Sequence, residues 1–289
     1  MKVLVLGASG MLGSDLVPVW RKEHEVVALS RSECDVAARP EVSAALDGFS
    51  PESVLLLAAS TDVDRCQRDR VYAFRTNSFG AEVTAGECGR RNIPLVYIST
   101  IAVFDGMKTS PYMEYDLPSP ANQYGRSKLF GEKAVRTFCP AHWIVRTGWL
   151  FGGGPRDMKF VAKILGKASS SGSISVVRDC VGSPTYTSDL AEGILTLLRE
   201  YPCGTYHMVN AGEAASRYEL ARHIMRIAGF SPDLVEPCLS TELDLDAPRP
   251  PMEAAASVKL DLLEGALSLP DWRESLSSYV RSRLSIIYS

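Results

Sequence analysis

Val3-Leu4-Val5-Leu6-Gly7-Ala8-Ser9-Gly10-Met11-Leu12-Gly13 opens the chain with a short apolar run, a glycine-rich turn and the start of a helical pattern. A continuous apolar run of this length, ending at a glycine, predicts a strand covered on both faces. Glycines at a strand-to-helix turn let the backbone bend tightly and approach a pyrophosphate, which then rests on the open N–H groups of the helix. The spacing is G-x-x-G-x-x-G, whereas the standard dinucleotide fingerprint is G-x-G-x-x-G. Position directly after the first strand is what points the turn to a dinucleotide, with Gly7, Ser9, Gly10, Met11, Leu12 and Gly13 as candidate contacts.

Further apolar runs follow at Val26 to Leu29, Val54 to Leu57, Leu95 to Ile98 and Ile144 to Thr147. Between them lie helical patterns at Met11 to Trp20, Glu41 to Leu46, Ala73 to Arg91 and Gln123 to Thr137, the last with Asn122 as its N-cap. This alternation predicts an α/β fold with a doubly wound parallel sheet of the Rossmann kind. After about Gly152 the texture changes to Gly-Gly-Gly-Pro, a Ser-rich turn from Ala168 to Ser173 and shorter elements, with Asp244 to Pro251 read as an extended surface loop. Residues 1–151 are therefore expected to be mainly dinucleotide-binding. Residues 152–289 are expected to form mainly a smaller α/β substrate lobe, with some segments returning to the first domain.

The length of 289 residues and 46% hydrophobic content allow a sizeable core, and disorder is excluded. A formal charge of -3 with mixed signs offers no basic face for nucleic acid, so small-molecule partners are favoured. No apolar stretch approaches the roughly 20 residues of a membrane span, and the N-terminus lacks a charged leader, so a cytoplasmic protein is expected. The seven cysteines are scattered without a C-x-x-C pair and read as reduced structural thiols. The four histidines lack ligand spacing, and no metal site is expected. Nucleophile-elbow and phosphate-loop motifs of hydrolases and NTPases are missing.

Tyr124 and Lys128 are four residues apart on one helix and share a face. A lysine ammonium beside a phenol favours the phenolate and is expected to lower the tyrosine pKa, which suits a general acid/base. The strand before it ends in Ser99-Thr100, and the Thr100 hydroxyl, ahead of Ser99, can bond a reacting carbonyl oxygen together with Tyr124. At the end of the second strand, Ser30-Arg31 offers a base where NAD enzymes carry an acid, which favours NADP(H) over NAD(H).

These residues resemble the extended short-chain dehydrogenase/reductase superfamily and, within it, the dTDP-4-dehydrorhamnose reductase family. The likeness runs from the glycine turn through Ala58-Ala59-Ser60-Thr61-Asp62-Val63-Asp64, Thr76-Asn77 and Ser99 to Gly106. It continues through Pro111 to Glu114, Tyr124-Gly125-Arg126-Ser127-Lys128, Val145 to Trp149, Gly182 to Thr185, Arg249-Pro250 and Leu269 to Trp272. It implies that hydride passes from NADPH to the C4 ketone of a nucleotide-linked 4-keto-6-deoxy sugar, with Tyr124 protonating the oxygen and Lys128 holding the nicotinamide ribose. Asp35, Val36, Ala58, Ala59 and Ser60 join Ser30 and Arg31 as implied cofactor positions, with Asn77 supporting from behind. Thr61, Val63, Ile101, Ala102 and Trp149 join Thr100 and Tyr124 on the sugar. A homodimer is implied by the same likeness.

The departures bear on substrate. The family usually reads Ser-Thr-Asp-Tyr-Val-Phe-Asp-Gly, whereas Ile101 and Ala102 stand here for the Asp and Tyr, and Cys180 stands where glutamine is common. Two polar sugar contacts are thereby lost, at about 1–3 kcal/mol for each buried group left unpaired. The alternatives are a different keto sugar or another ketone, a sugar-nucleotide epimerase or dehydratase that recycles its cofactor, and a non-catalytic NADP-binding subunit resembling the regulatory β subunit of methionine adenosyltransferase.

Overall fold

The computed structural model of the chain describes residues 1–168, 172–263 and 267–287. Residues 169–171 of the Ser-rich turn lie outside that range. The central sheet is wholly parallel, with strands β1 (Lys2–Leu6), β2 (Glu25–Leu29), β3 (Ser53–Leu56), β4 (Leu95–Thr100), β5 (His142–Thr147) and β6 (Gly204–His207) in the order β6-β5-β4-β3-β1-β2. The order reverses between β1 and β3. In an open α/β sheet, ligands bind outside the carboxyl ends of the strands at that switch point, and this is where Gly7 sits.

Helices cover both faces, so the central strands are apolar on both sides. Leu4, Leu6, Leu55 and Leu56 are at most 1% exposed, and burying each such side chain stabilises the fold by about 1.5–3 kcal/mol. On one face α1 (Met11–Trp20) buries Leu12, Leu16, Val17 and Trp20 and packs on the helix Thr187–Glu200, where the Trp20 indole donates to the Ala191 carbonyl at 2.9 Å. On the other face lie α2 (Arg39–Phe49), α3 (Ala81–Arg90) and α4 (Gln123–Phe138). A separate core joins the helices Phe160–Ala168, Arg217–Ile227 and Trp272–Ile287 to the strand pair Ile174–Val177 and Val235–Cys238. Among the described residues no helix is long and apolar enough to cross a membrane.

Two expectations need correction. The pattern read as one helix from Ala73 to Arg91 is Arg70–Phe74, a π-helical turn Arg75–Gly80 and α3. The 244–251 segment is not simply a surface loop, because Ala247 and Pro250 are buried. It closes on the segment after β3, with Ala247 N–H donating to Asp64 at 3.1 Å and Arg249 paired to Asp64 at 2.7 Å.

Candidate active site

Gly7 follows β1 with φ +84°, a left-handed backbone that a side chain would strain, and a Cβ there would lie 2.5 Å from the Ala58 backbone. Its N–H and that of Ala8 both donate to the Leu29 carbonyl, at 2.9 and 3.0 Å, which ties the turn to the end of β2. Gly13 lets α1 press directly on the Ala8 carbonyl. Gly10 caps α1 without a side-chain bond, and the first turn carries no acid. The free N–H groups and positive end of the helix therefore stay open to an anion. These features fit a dinucleotide pyrophosphate.

Gly7, Gly10, Met11, Leu12 and Gly13 line one wall of a cleft of about 470 Å³, together with Ala59, Thr61 and Val63. Ser9 is exposed beside it, and its carbonyl accepts from Arg156 at 2.8 Å. Ser30 lies in an adjoining shallow depression, its hydroxyl on Glu33 at 2.6 Å. Eight predicted residues, Ser9 and Ser30 among them, do not line the cleft. Arg31 is exposed, Asp35 is paired to Arg75 at 2.7 Å, Val36 is buried against Gly80, and Ala58 backs Gly7. Ser60 and Asn77 are buried behind the wall. Ser60 N–H donates to Asn77 Oδ1 at 2.8 Å, while Asn77 Nδ2 donates to the Ser60 carbonyl at 3.0 Å and to Ser127 Oγ at 2.9 Å.

Across the cleft α4 begins at Asn122, whose side chain accepts from Gly125 N–H at 2.9 Å and donates to the Pro248 carbonyl at 3.1 Å. Tyr124, Lys128 and Glu132 follow at helical spacing, which puts them on one face. Burial pushes the Tyr124 phenol up to about 12, against the opposing pull of the Thr100 hydroxyl. Lys128 is 1% exposed, donates from Nζ to the Ile98 carbonyl at 2.6 Å and lies 4.0 Å from the Tyr97 ring centroid. Burial pulls it down to about 7, with the Glu132 charge opposing. Glu132 is held by Ser99 at 2.6 Å and by Arg146 at 2.8 Å to each oxygen. The expected lowering of the tyrosine by the lysine is therefore not found here. Loss of solvent around the phenol dominates, and the phenol holds its proton at neutral pH.

The cleft is also lined by groups that local sequence reading did not single out, namely Arg156, Lys159, Phe160, Arg217 and Glu253, and by Thr147, read only as part of a strand and a motif. Arg249, noted only as part of a motif, stands with them. Thr147 has a buried hydroxyl with no partner among the described residues. Lys159 Nζ donates to Thr61 Oγ1 at 3.1 Å. Trp149 has φ +45°, a left-handed conformation that costs a bulky residue energy and tends to mark functional positions. Its indole donates to Glu253 Oε2 at 2.9 Å, and the Arg217 guanidinium covers its ring at 3.5 Å. Ile101 and Ala102, beside Thr100, are buried and apolar. These groups come from distant segments with no local period, so only the fold brings them together.

A carbonyl oxygen placed between Thr100 and Tyr124 would meet a hydroxyl and a protonated phenol, with a buried lysine one turn on. A parallel sheet with an open glycine turn at its switch point and this set beside it defines an NAD(P)-dependent oxidoreductase of the extended short-chain dehydrogenase/reductase type. The family model described as RmlD substrate binding domain matches residues 1–284. The chain belongs to this dTDP-4-dehydrorhamnose reductase family. It is 40% identical over 242 residues to a dTDP-4-keto-6-deoxy-D-glucose reductase of Streptomyces niveus, covering 83% of each chain. It is 36% identical over 282 residues to a dTDP-4-dehydrorhamnose reductase of Mycolicibacterium smegmatis, covering 96% of this chain and 85% of that one. The structure of the Bacillus anthracis dTDP-4-dehydrorhamnose reductase in complex with NADP is similar with a TM-score of 0.92 at 32% identity, over 97% of this chain and 99% of that one.

Proposed function

We propose that this protein reduces the C4 ketone of a nucleotide-linked 4-keto-6-deoxy sugar with NADPH. The observation that carries this reading is the set of Tyr124 with the buried Thr100 and Lys128, sharing one cleft with the open glycine turn. The relatives named above, one of them holding NADP, support the same chemistry. On this reading residues 1–151 mainly serve the dinucleotide and 152–289 mainly the substrate.

When bound, the reduced nicotinamide supplies a hydride to the carbonyl carbon. Thr100 and Tyr124 orient the ketone oxygen by hydrogen bonds, and Tyr124 gives up its proton as charge develops there. Lys128 and the Thr100 hydroxyl then stabilise the phenolate. Lys128, held near 7 by burial, can exchange a proton at working pH. The buried Thr147 hydroxyl and the N-terminus of α1 are further groups of this chain suited to hold the cofactor.

The test follows NADPH absorbance with dTDP-4-dehydrorhamnose. Tyr124→Phe is expected to lower kcat by about 10²- to 10⁴-fold while NADPH still binds. Full activity in that variant would remove Tyr124 from the mechanism, and NADPH binding by wild type without turnover would favour a regulatory subunit. Arg31, exposed at the end of β2 beside Ser30, is the proposed source of preference for NADPH over NADH. Arg31→Ala is expected to shrink the ratio of the two kcat/KM values, and an unchanged ratio would assign the preference elsewhere.

A further inference from the structure

The cleft is rich in cations. Lys128, Arg156, Lys159, Arg217 and Arg249 line it, and among the described residues that do so Glu253 is the one carboxylate. Its backbone is fixed, because the two-residue strand Met252–Glu253 runs parallel to Val181–Gly182. One oxygen, Oε2, is taken by the Trp149 indole at 2.9 Å. Among the described residues the other, Oε1, has no hydrogen-bond partner. The carboxylate is close enough to the Tyr124 phenol for its charge to act on it. A carboxylate is an acceptor only, so its open oxygen calls for a donor. On the wall beside Thr100, Ile101 and Ala102 offer a sugar no side-chain hydrogen bond, being 1% and 5% exposed hydrocarbon.

We propose that Glu253 is a specificity residue whose free oxygen accepts a hydrogen bond from a ring hydroxyl of the sugar at C2 or C3. This rests on the reductase reading and narrows it to 4-keto sugars that keep a hydroxyl near the ketone. The donor set fits. A ring hydroxyl supplies an O–H, bonds to an ionised acceptor are about twice as strong as neutral ones, and a site built around such a bond rejects a substrate lacking the hydroxyl.

The experiment measures kcat and KM of wild type, Glu253→Gln and Glu253→Ala with dTDP-4-dehydrorhamnose and its 2-deoxy and 3-deoxy analogues. Gln keeps an acceptor for the Trp149 indole, so that variant separates sugar recognition from anchoring of the ring. For both variants kcat/KM is expected to fall about 10- to 100-fold on the full substrate, mainly through KM. On the analogue lacking the bonded hydroxyl the Gln substitution should change it by no more than about twofold. Equal losses on all three substrates, or a Gln variant that matches wild type on all three, would overturn the proposal and leave Glu253 as an anchor for Trp149. No turnover of any of the three by wild type would overturn the reductase reading, and the role of Glu253 with it.

Discussion

Lys128 is a buried cation whose position works against folding. The unfolded lysine keeps its proton up to about 10.5, while the folded one gives it up at about 7. Between those values the unfolded chain binds more protons, so this residue makes stability rise with pH and is most costly below 7. The cost is on the order of 5 kcal/mol at its fullest. Lys128→Met is therefore expected to stabilise the protein at pH 6 and to lose that advantage by pH 10, as urea unfolding of both forms would reveal. A gain that did not shrink with pH would mean that repacking, not charge, was responsible. The Tyr124–Lys128 pair was legible because four-residue spacing on a helix is a local signal. Glu253, Arg217 and Lys159 were not, since nothing in their neighbourhoods marks a residue that reaches the cleft only through tertiary contacts.

Among the elements, the π-helical turn Arg75–Gly80 packs on α4 and supports the face that carries Tyr124 and Lys128. Ser78 Oγ donates to the Ser127 carbonyl at 2.8 Å, and Tyr97 OH donates to the Asn77 carbonyl at 3.0 Å. Gly131 is what lets α4 lie so close, since a Cβ there would strike the Asn77 carbonyl and the Tyr97 hydroxyl. Gly131→Ala is expected to cost about 1–3 kcal/mol, read as a lower urea midpoint. An unchanged midpoint would show that the two layers can part without loss. Strands β1 to β5 were legible to within a residue or two, because each is a short apolar run with turn residues behind it, whereas β6, Gly-Thr-Tyr-His, lacks such a run and was not read. Nor was the π-turn. An extra residue per turn rotates Asn77 inward toward Ser60 without breaking the apolar pattern on either side, so the stretch reads as one helix.

At the scale of the whole molecule, Asp15 on α1 fastens the cofactor side to the segment that follows Trp149. Its Oδ2 accepts from Gly153 N–H at 2.7 Å and from the Thr187 hydroxyl, and three residues on Arg156 reaches back to the Ser9 carbonyl. Asp15→Ala leaves the Gly153 N–H without its partner, a loss of about 1–3 kcal/mol, and Tm is expected to fall by about 2–6 °C. NADPH affinity should fall with it, and titration by protein fluorescence would read both arms on one sample. An unchanged Tm and affinity would mean that the two sides hold together without this carboxylate.

Strand β6 pairs with β5 only after about sixty intervening residues, and Leu190, Leu197, Tyr206 and Met208 then fill the core beneath α1. A nascent chain that has emerged as far as β5 carries the glycine turn, Tyr124 and Lys128, yet one face of its sheet is covered by α1 alone and β5 is an open edge. Shielding during synthesis thus has to last until residue 208 is out of the ribosome, and a fragment cut at residue 151 should aggregate instead of binding nucleotide.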